Sequence, residues 1–180
     1  MKQTKAFSLV EVLVVIAIIL IVTAICVPVV LRVKRSGLEA RSVSNMRQLY
    51  LALETYRSEA EGSPYGSMEA MGLPLGISTQ YLGQGVANLH PPLWPQAWNY
   101  YYYPAPSWLD HRVPTWEQYA TDKGAETVLL ADFCFNFGGP EEANLIHDPY
   151  LEKYAIGITL GGSVKKKRAS GHLDLIWWDR

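Results

Sequence analysis

The sequence predicts an α+β fold in which one long N-terminal helix is followed by a small antiparallel sheet. Two observations support this prediction. A continuous apolar block at residues 7–31 is followed by apolar residues at helical spacing up to residue 61. Alternating segments rich in β-branched and aromatic residues are confined to residues 127–178, where glycines separate them. Strands that follow a helix, instead of alternating with helices, are typical of the α+β class.

Composition excludes several classes of protein. The 180 residues include 16 Lys and Arg against 17 Asp and Glu, so the formal net charge is −1. A nucleic-acid binder that works by a global excess of positive charge is therefore excluded. Two cysteines are too few for a disulfide scaffold. With 12% aromatic and 18% charged residues, the chain is not of the disordered class.

The first predicted element is an apolar helix at residues 7–31. Its 25 residues contain a single charged side chain, Glu11. At about 1.5 Å per residue, this helix is long enough to cross a hydrocarbon core of about 30 Å. Lys2 and Lys5 precede it and three basic residues follow at 32–35, so the flanking charge does not define an orientation. The segment is predicted to contact membrane lipid.

Alternative interpretations of this segment fit less well. A cleaved signal peptide has a shorter apolar core and a small-residue cleavage site. A lipoprotein signal ending at Cys26 needs a small residue in place of Ile25. A plain anchor leaves Glu11 unexplained, because a carboxylate in lipid costs several kcal/mol unless it is paired or reaches the headgroups. Both the pairing of Glu11 and its position at headgroup level stay open at this point.

The N-terminal stretch closely resembles the methylation motif of type IV pilins and type II secretion pseudopilins. That motif has a short basic leader, a small residue, a phenylalanine, an acid four residues later and a long apolar helix. Lys2, Lys5, Ala6, Phe7 and Glu11 occupy these positions. The resemblance implies that a prepilin peptidase cleaves between Ala6 and Phe7 and that Phe7 is N-methylated. Ala6 departs from the glycine usual in the family, which implies less efficient processing.

The same resemblance implies a place and partners for the chain. The leader faces the cytoplasm, the protein crosses the bacterial inner membrane once, and the C-terminal part is exported. Other pilin or pseudopilin subunits and an inner-membrane assembly platform are the implied partners. During assembly, Glu11 meets the new ammonium group of Phe7 on a neighbouring subunit. Pro28 matches a proline that kinks the family's helix. No cofactor or metal is implied.

The second half of the predicted helix, residues 32–62, is amphipathic. Its apolar side chains recur at spacings of three and four residues, which predicts that one face packs on the C-terminal domain, with neighbouring helices in an assembly as the alternative. Gly62 is predicted to cap the helix in a left-handed conformation, with Pro64 just beyond. Pro28 and Gly37 are the predicted places for a bend or local melting. The stripe consists of Leu38, Met46, Leu49, Tyr50, Leu53 and Tyr56.

Residues 63–180 are predicted to form the exported domain. Its first part, residues 63–119, holds eight of the eleven prolines and many Tyr and Trp residues, which predicts ordered loops with short strands. The rings are interpreted as core, with a binding surface as the alternative. The second part predicts a meander of about four strands, in which Phe133, Phe135 and Phe137 share one face. These strands are at 127–137, 154–160, 163–168 and 172–178.

Groups that suggest other chemistry are interpreted as structural. The basic run Lys165–Arg168 is predicted to be a solvated strand edge, with contact to DNA phosphates as the alternative. Asp132, Cys134, His147 and Asp148 form no known catalytic or metal-binding motif, and Asp148 with Glu141 and Glu142 lacks the spacing of a calcium loop.

The sequence therefore predicts a structural subunit and no enzyme activity. Its parts are a leader at 1–6, a transmembrane and assembly half at 7–31, an amphipathic half at 32–62, and an exported domain at 63–180. The alternative is a single-pass anchored binding or sensory protein whose aromatic-rich domain does the work.

Overall fold

The computed structural model describes most of the chain and confirms the α+β class. The described residues are 8–64, 67–77, 79–87, 89–93, 100–104, 115–136, 148–173 and 175–179. The chain divides into two compact units, Met1–Glu39 and Ala40–Arg180. The division falls within the long helix, eight residues beyond the boundary at residues 31 and 32 that the sequence predicts between its two halves.

Helix α1 spans Leu9–Glu59, 51 residues, and agrees with the predicted helix to within two residues at each end. It contains Pro28 and remains helical at Gly37, so neither residue melts it. Pro28 has no N–H to donate to the carbonyl of Ala24, which removes one helical hydrogen bond. The kink itself stays a prediction.

The end of α1 differs from the prediction in which residue takes the left-handed conformation. Glu61 has a φ of 52°, whereas Gly62 has no positive φ. Glycine is needed at position 62 for a different reason: a Cβ there would lie 2.1 Å from the carbonyl oxygen of Met71. The predicted glycine cap is therefore wrong. Gly62 allows a close backbone approach after the helix has ended.

In the second unit, one stripe of α1 is buried against the domain. Ser42, Met46, Leu49 and Leu53 are fully buried. Three of them belong to the predicted apolar stripe, and all three lie in the hydrophobic core. Tyr50, also a member of the predicted stripe, is half-buried, and its hydroxyl donates a hydrogen bond to the carbonyl of Leu160 at 3.2 Å. The amphipathic half of α1 therefore packs as predicted.

The sheet has four antiparallel strands in the order β1-β2-β3-β4. Their bounds are β1 Tyr101–Tyr102, β2 Val128–Asp132, β3 Lys153–Thr159 and β4 Val164–Ala169. The turn between β3 and β4 is the predicted glycine turn, where Gly162 has a φ of 78°. Strand β1 lies within the proline-rich part of the chain, where short strands were expected without a position.

Two of the predicted strands need correction. None of the described residues of segment 172–178 is in a strand, and Ile176–Trp178 form a 3₁₀ turn. Successive side chains of a strand point to opposite faces, whereas this turn buries both Trp177 and Trp178. Strand β2 ends at Asp132 instead of continuing to residue 137, and a 3₁₀ turn follows at Cys134–Asn136. Phe137 lies outside the described residues.

The proline-rich part also contains short helices. These are α2 Thr79–Leu82, α3 Gln84–Ala87 and α4 Trp116–Lys123, followed by a 3₁₀ turn at Gly124–Glu126. A reciprocal cap between Thr115 and Gln118 begins α4. The buried rings here belong to the core, as expected, while Trp94, Trp98 and Trp108 lie outside the described residues. The buried rings are Tyr100, Tyr102, Tyr103, Trp116 and Tyr119.

Candidate membrane and assembly segment

The first half of α1 is apolar on every side. Each residue from Ser8 to Gly37 is exposed, and its large apolar side chains are between 48% and 76% exposed. A surface helix of a globular domain has one polar face, whereas a helix that is apolar all round requires a nonpolar surrounding. Within the described residues, α1 is the one helix long and apolar enough to cross a membrane.

Glu11 lies in the first turn of this helix and accepts a local hydrogen bond. The backbone N–H of Ser8 donates to Oε2 of Glu11 at 2.8 Å, and the N–H of Val10 donates to Oγ of Ser8 at 3.4 Å. Serine followed three residues later by glutamate is the spacing of a capping box. Sequence reasoning missed the role of Ser8, although this spacing could have identified it. Glu11 therefore caps the helix that it begins.

The two residues of the predicted cleavage site, Ala6 and Phe7, lie outside the described residues. Their processing and the pairing of Phe7 with Glu11 stay predictions. Farther along the helix, Oγ1 of Thr23 donates to the carbonyl of Ile19. This satisfies a polar side chain inside the apolar segment without any partner outside the helix.

In the second unit, Asp132 lies in a buried polar cluster at the end of β2. Ser42 donates a hydrogen bond to Oδ2 of Asp132 at 2.5 Å, and the N–H of Cys134 donates to Oδ1 at 2.9 Å. Burial raises the pKa of Asp132, although these two hydrogen bonds act to lower it. Burial also raises the pKa of the Cys134 thiol, with the Asp132 charge as a second cause. A thiol with a raised pKa is a poor nucleophile.

The remaining candidate groups have structural surroundings. Asp148 accepts a hydrogen bond from the N–H of Tyr150 at 2.9 Å. Lys153 is almost fully buried, and its ammonium donates to the carbonyls of Asp148 and Gly171. Glu141, Glu142 and His147 lie outside the described part of the chain. Among the residues that are described, no group of three potential ligands could hold a metal ion.

The basic run Lys165–Arg168 lies on β4, as predicted for a strand edge. Nζ of Lys165 is 3.5 Å from Oε2 of Glu126, and Nη1 of Arg168 is 3.4 Å from Oε2 of Glu152. The guanidinium of Arg168 also lies 5.5 Å from the ring centroid of Tyr154. These contacts place the run on the solvent-facing edge of the sheet.

Comparison with known proteins addresses the N-terminal segment. The model of the prokaryotic N-terminal methylation motif matches residues 1–27. Searches of curated proteins and of solved structures find no significant match. The matched motif is the signature of type IV pilins and pseudopilins.

This motif, matched over residues 1–27, indicates a type IV pilin-like or pseudopilin precursor. It implies a prepilin peptidase and other pilin subunits as partners in general. Together with the apolar helix, it fits a membrane-anchored protein.

Proposed function

We propose that the chain is a structural subunit of a type IV pilus-like or type II secretion pseudopilus filament. A prepilin peptidase cuts between Ala6 and Phe7, and the mature subunit is anchored in the inner membrane before assembly, with its C-terminal domain exported. The observation that carries this proposal is the apolar half of α1, exposed on all sides and matched by the methylation motif. The role is structural and requires no catalytic group.

The exposed apolar surface of the helix is covered first by membrane lipid and later, in the filament, by other helices. In the membrane, lipid covers the side chains from Leu9 to Val33. In a filament, the same side chains pack against helices of neighbouring subunits. Because lipid is as apolar as leucine, the transfer from lipid to the filament gains little hydrophobic free energy. Close packing of the helices and pairing of polar groups therefore drive assembly.

Glu11 supplies the polar pairing. Cleavage creates an ammonium group on Phe7, and an isolated charge in a nonpolar surrounding is costly. A carboxylate from a neighbouring copy lowers that cost when the two groups are in contact. The Ser8 N–H occupies Oε2 of Glu11. A carboxylate has room for several hydrogen bonds, so Glu11 can keep its cap and accept the ammonium as well.

The mature N-terminus is the primary test. Full-length protein is expressed with a prepilin peptidase, purified from membranes and analysed by mass spectrometry. The expected product begins at N-methylated Phe7. An Ala6→Glu variant, whose larger charged residue precedes the cut, serves as the uncleaved control. An intact leader starting at Met1 in the wild type would contradict the proposal and favour an anchored binding or sensory protein.

Two variants separate the charge of Glu11 from the hydroxyl that Ser8 contributes to the helix cap. Glu11→Gln keeps an oxygen that can accept the Ser8 N–H but removes the charge, whereas Ser8→Ala keeps the charge and removes the hydroxyl. We expect both proteins in the membrane, with filament incorporation lost in Glu11→Gln and largely retained in Ser8→Ala. Normal incorporation of Glu11→Gln would rule out a role for the charge.

A further inference from the structure

Strand β4 ends the sheet, and its second edge pairs with no strand of the described residues. We call Lys165–Arg168 the basic edge. Lys166 and Arg168 are its two exposed members. An open edge that carries consecutive positive charges repels a second basic edge, so two copies of β4 do not pair edge to edge. It attracts an acidic surface.

The side chains of the basic edge point to two different faces. Nζ of Lys167 lies 5.5 Å from the ring centroid of Trp177, on the face that the C-terminal turn covers. Lys166 belongs to the opposite face, because it pairs across the strands with Ile156 and Ile156 pairs with Asp132. Asp132 accepts its hydrogen bond from Ser42 of α1. Lys166 therefore lies on the same face of the sheet as α1. It is exposed because β4 is the last strand of the sheet.

The far end of α1 carries the opposite charge. Glu59, Glu61 and Glu69 are exposed, and we call them the acidic end. The close approach of Gly62 to Met71 and the hydrogen bond from the Ser63 N–H to the Ala70 carbonyl at 2.7 Å bring their loop to the helix end. The three carboxylates thus belong to one end of the domain.

The basic edge and the acidic end are separated along α1. Helix α1 runs from Ser42 beside Asp132 towards Tyr50 beside Leu160, at the β3–β4 turn. Strand β4 runs back from that turn, in the opposite direction. Glu59 lies 17 residues beyond Ser42, which is about 25 Å of helix. The two charged regions cannot meet within one copy, so a contact between them joins two copies.

We propose that the basic edge of one copy docks on the acidic end of the next copy along the filament. This inference rests on the proposed function and adds the contact between exported domains. The same surface pair repeated from copy to copy is a heterologous contact, which builds an open helical assembly when the rotation does not close. The pair between Arg168 and Glu152 is exposed, with side chains 55% and 63% accessible, so little stability is lost when Arg168 changes partner.

Charge reversal and its compensation test this contact in the full-length, membrane-inserted protein. Lys166→Glu with Arg168→Glu makes the edge acidic, and Glu59→Lys with Glu61→Lys makes the end basic. We expect each pair of substitutions to lower the subunit recovered in sheared filaments by about tenfold, because like charges then face each other. All four substitutions together restore recovery to within about threefold of the wild type. Asp122→Lys, a charge reversal at an exposed position of α4 outside both regions, is the matched control.

Cross-linking provides a readout independent of any variant. A carbodiimide couples an amine to a carboxylate that it contacts. In filaments assembled from isotopically labelled and unlabelled wild-type copies, we expect mixed peptides joining Lys166 to Glu59, Glu61 or Glu69.

The outcomes separate the two proposals. Wild-type filaments without such mixed peptides, or charge-reversed subunits that assemble normally, overturn the contact and leave the filament role intact. Failure of the fourfold variant to recover, while each pair is defective, also overturns the contact. If the wild-type protein never enters a filament, whether or not its leader is cleaved, both the filament role and the contact are overturned.

Discussion

The two halves of helix α1 have the same backbone and opposite surroundings. From Leu9 to Val33 its apolar side chains are exposed, whereas in the second half Met46, Leu49 and Leu53 are fully buried in the core. A long exposed helix is marginal in water, so its stability depends on what its apolar surface contacts. The second half finds that contact in its own domain. The first half must find it in lipid or in neighbouring subunits.

The largest expected difference between the halves comes from truncating a leucine in each. Leu53→Ala removes a fully buried side chain and is expected to lower the free energy of unfolding of the domain by about 2–5 kcal/mol. Leu20→Ala removes a side chain that is 68% exposed and is expected to leave that free energy unchanged.

The measurement is denaturant unfolding of the full-length protein in detergent, followed by tryptophan fluorescence. All six tryptophans lie between residues 94 and 178, so the signal reports the domain. Equal destabilisation by the two variants would show that the first half of α1 contributes to the stability of the domain, and the contrast between the halves would be lost.

Two glycines, Gly37 within α1 and Gly62 just after its end, give a second, smaller contrast. At Gly62 a new Cβ would lie 2.1 Å from a carbonyl oxygen, whereas at Gly37 nothing lies within 4 Å. Gly62→Ala is expected to destabilise the domain by about 1–3 kcal/mol. Gly37→Ala is expected to increase helicity, since alanine in a helix is better than glycine by about 1 kcal/mol. Circular dichroism and unfolding measure both, and a stable Gly62→Ala domain would contradict the close approach.

Asp132 predicts how the stability of the second unit depends on pH. Burial raises its folded-state pKa above the unfolded value, so the folded chain binds this proton more tightly. Its contribution therefore makes the domain more stable as pH falls through the folded-state pKa towards about 3.9. Asp132→Asn lacks this contribution. From pH 7 to pH 4, we expect wild type to gain stability relative to the variant, and parallel pH profiles would disprove this.

How much of the molecule the sequence predicts also differs between the regions. The apolar pattern of α1, the single acid in its apolar first half and the methylation motif are local features, and they predict the helix and the class of protein. The turn at Gly162 is equally local. The strand assignment at 172–178 fails because Trp177 and Trp178 are both buried, and Trp178 packs against Phe133, 45 positions away, which no local period reveals. Asp132 likewise accepts a hydrogen bond from Ser42, which is 90 positions away in the sequence, so its polar cluster could not be predicted.

The smallest expected effect on the fold comes from the basic edge. Arg168→Ala breaks an exposed ion pair at 3.4 Å and a ring contact, and is expected to change the free energy of unfolding by at most about 0.5 kcal/mol. Lys153→Met, which removes a buried ammonium bound to two carbonyls, is the contrasting variant and is expected to cost about 1–3 kcal/mol. Denaturant unfolding distinguishes the two. If Arg168→Ala destabilised the domain as much as Lys153→Met, the edge would be part of the fold. A charge that the fold does not need, on an open strand, is available for contact with another copy.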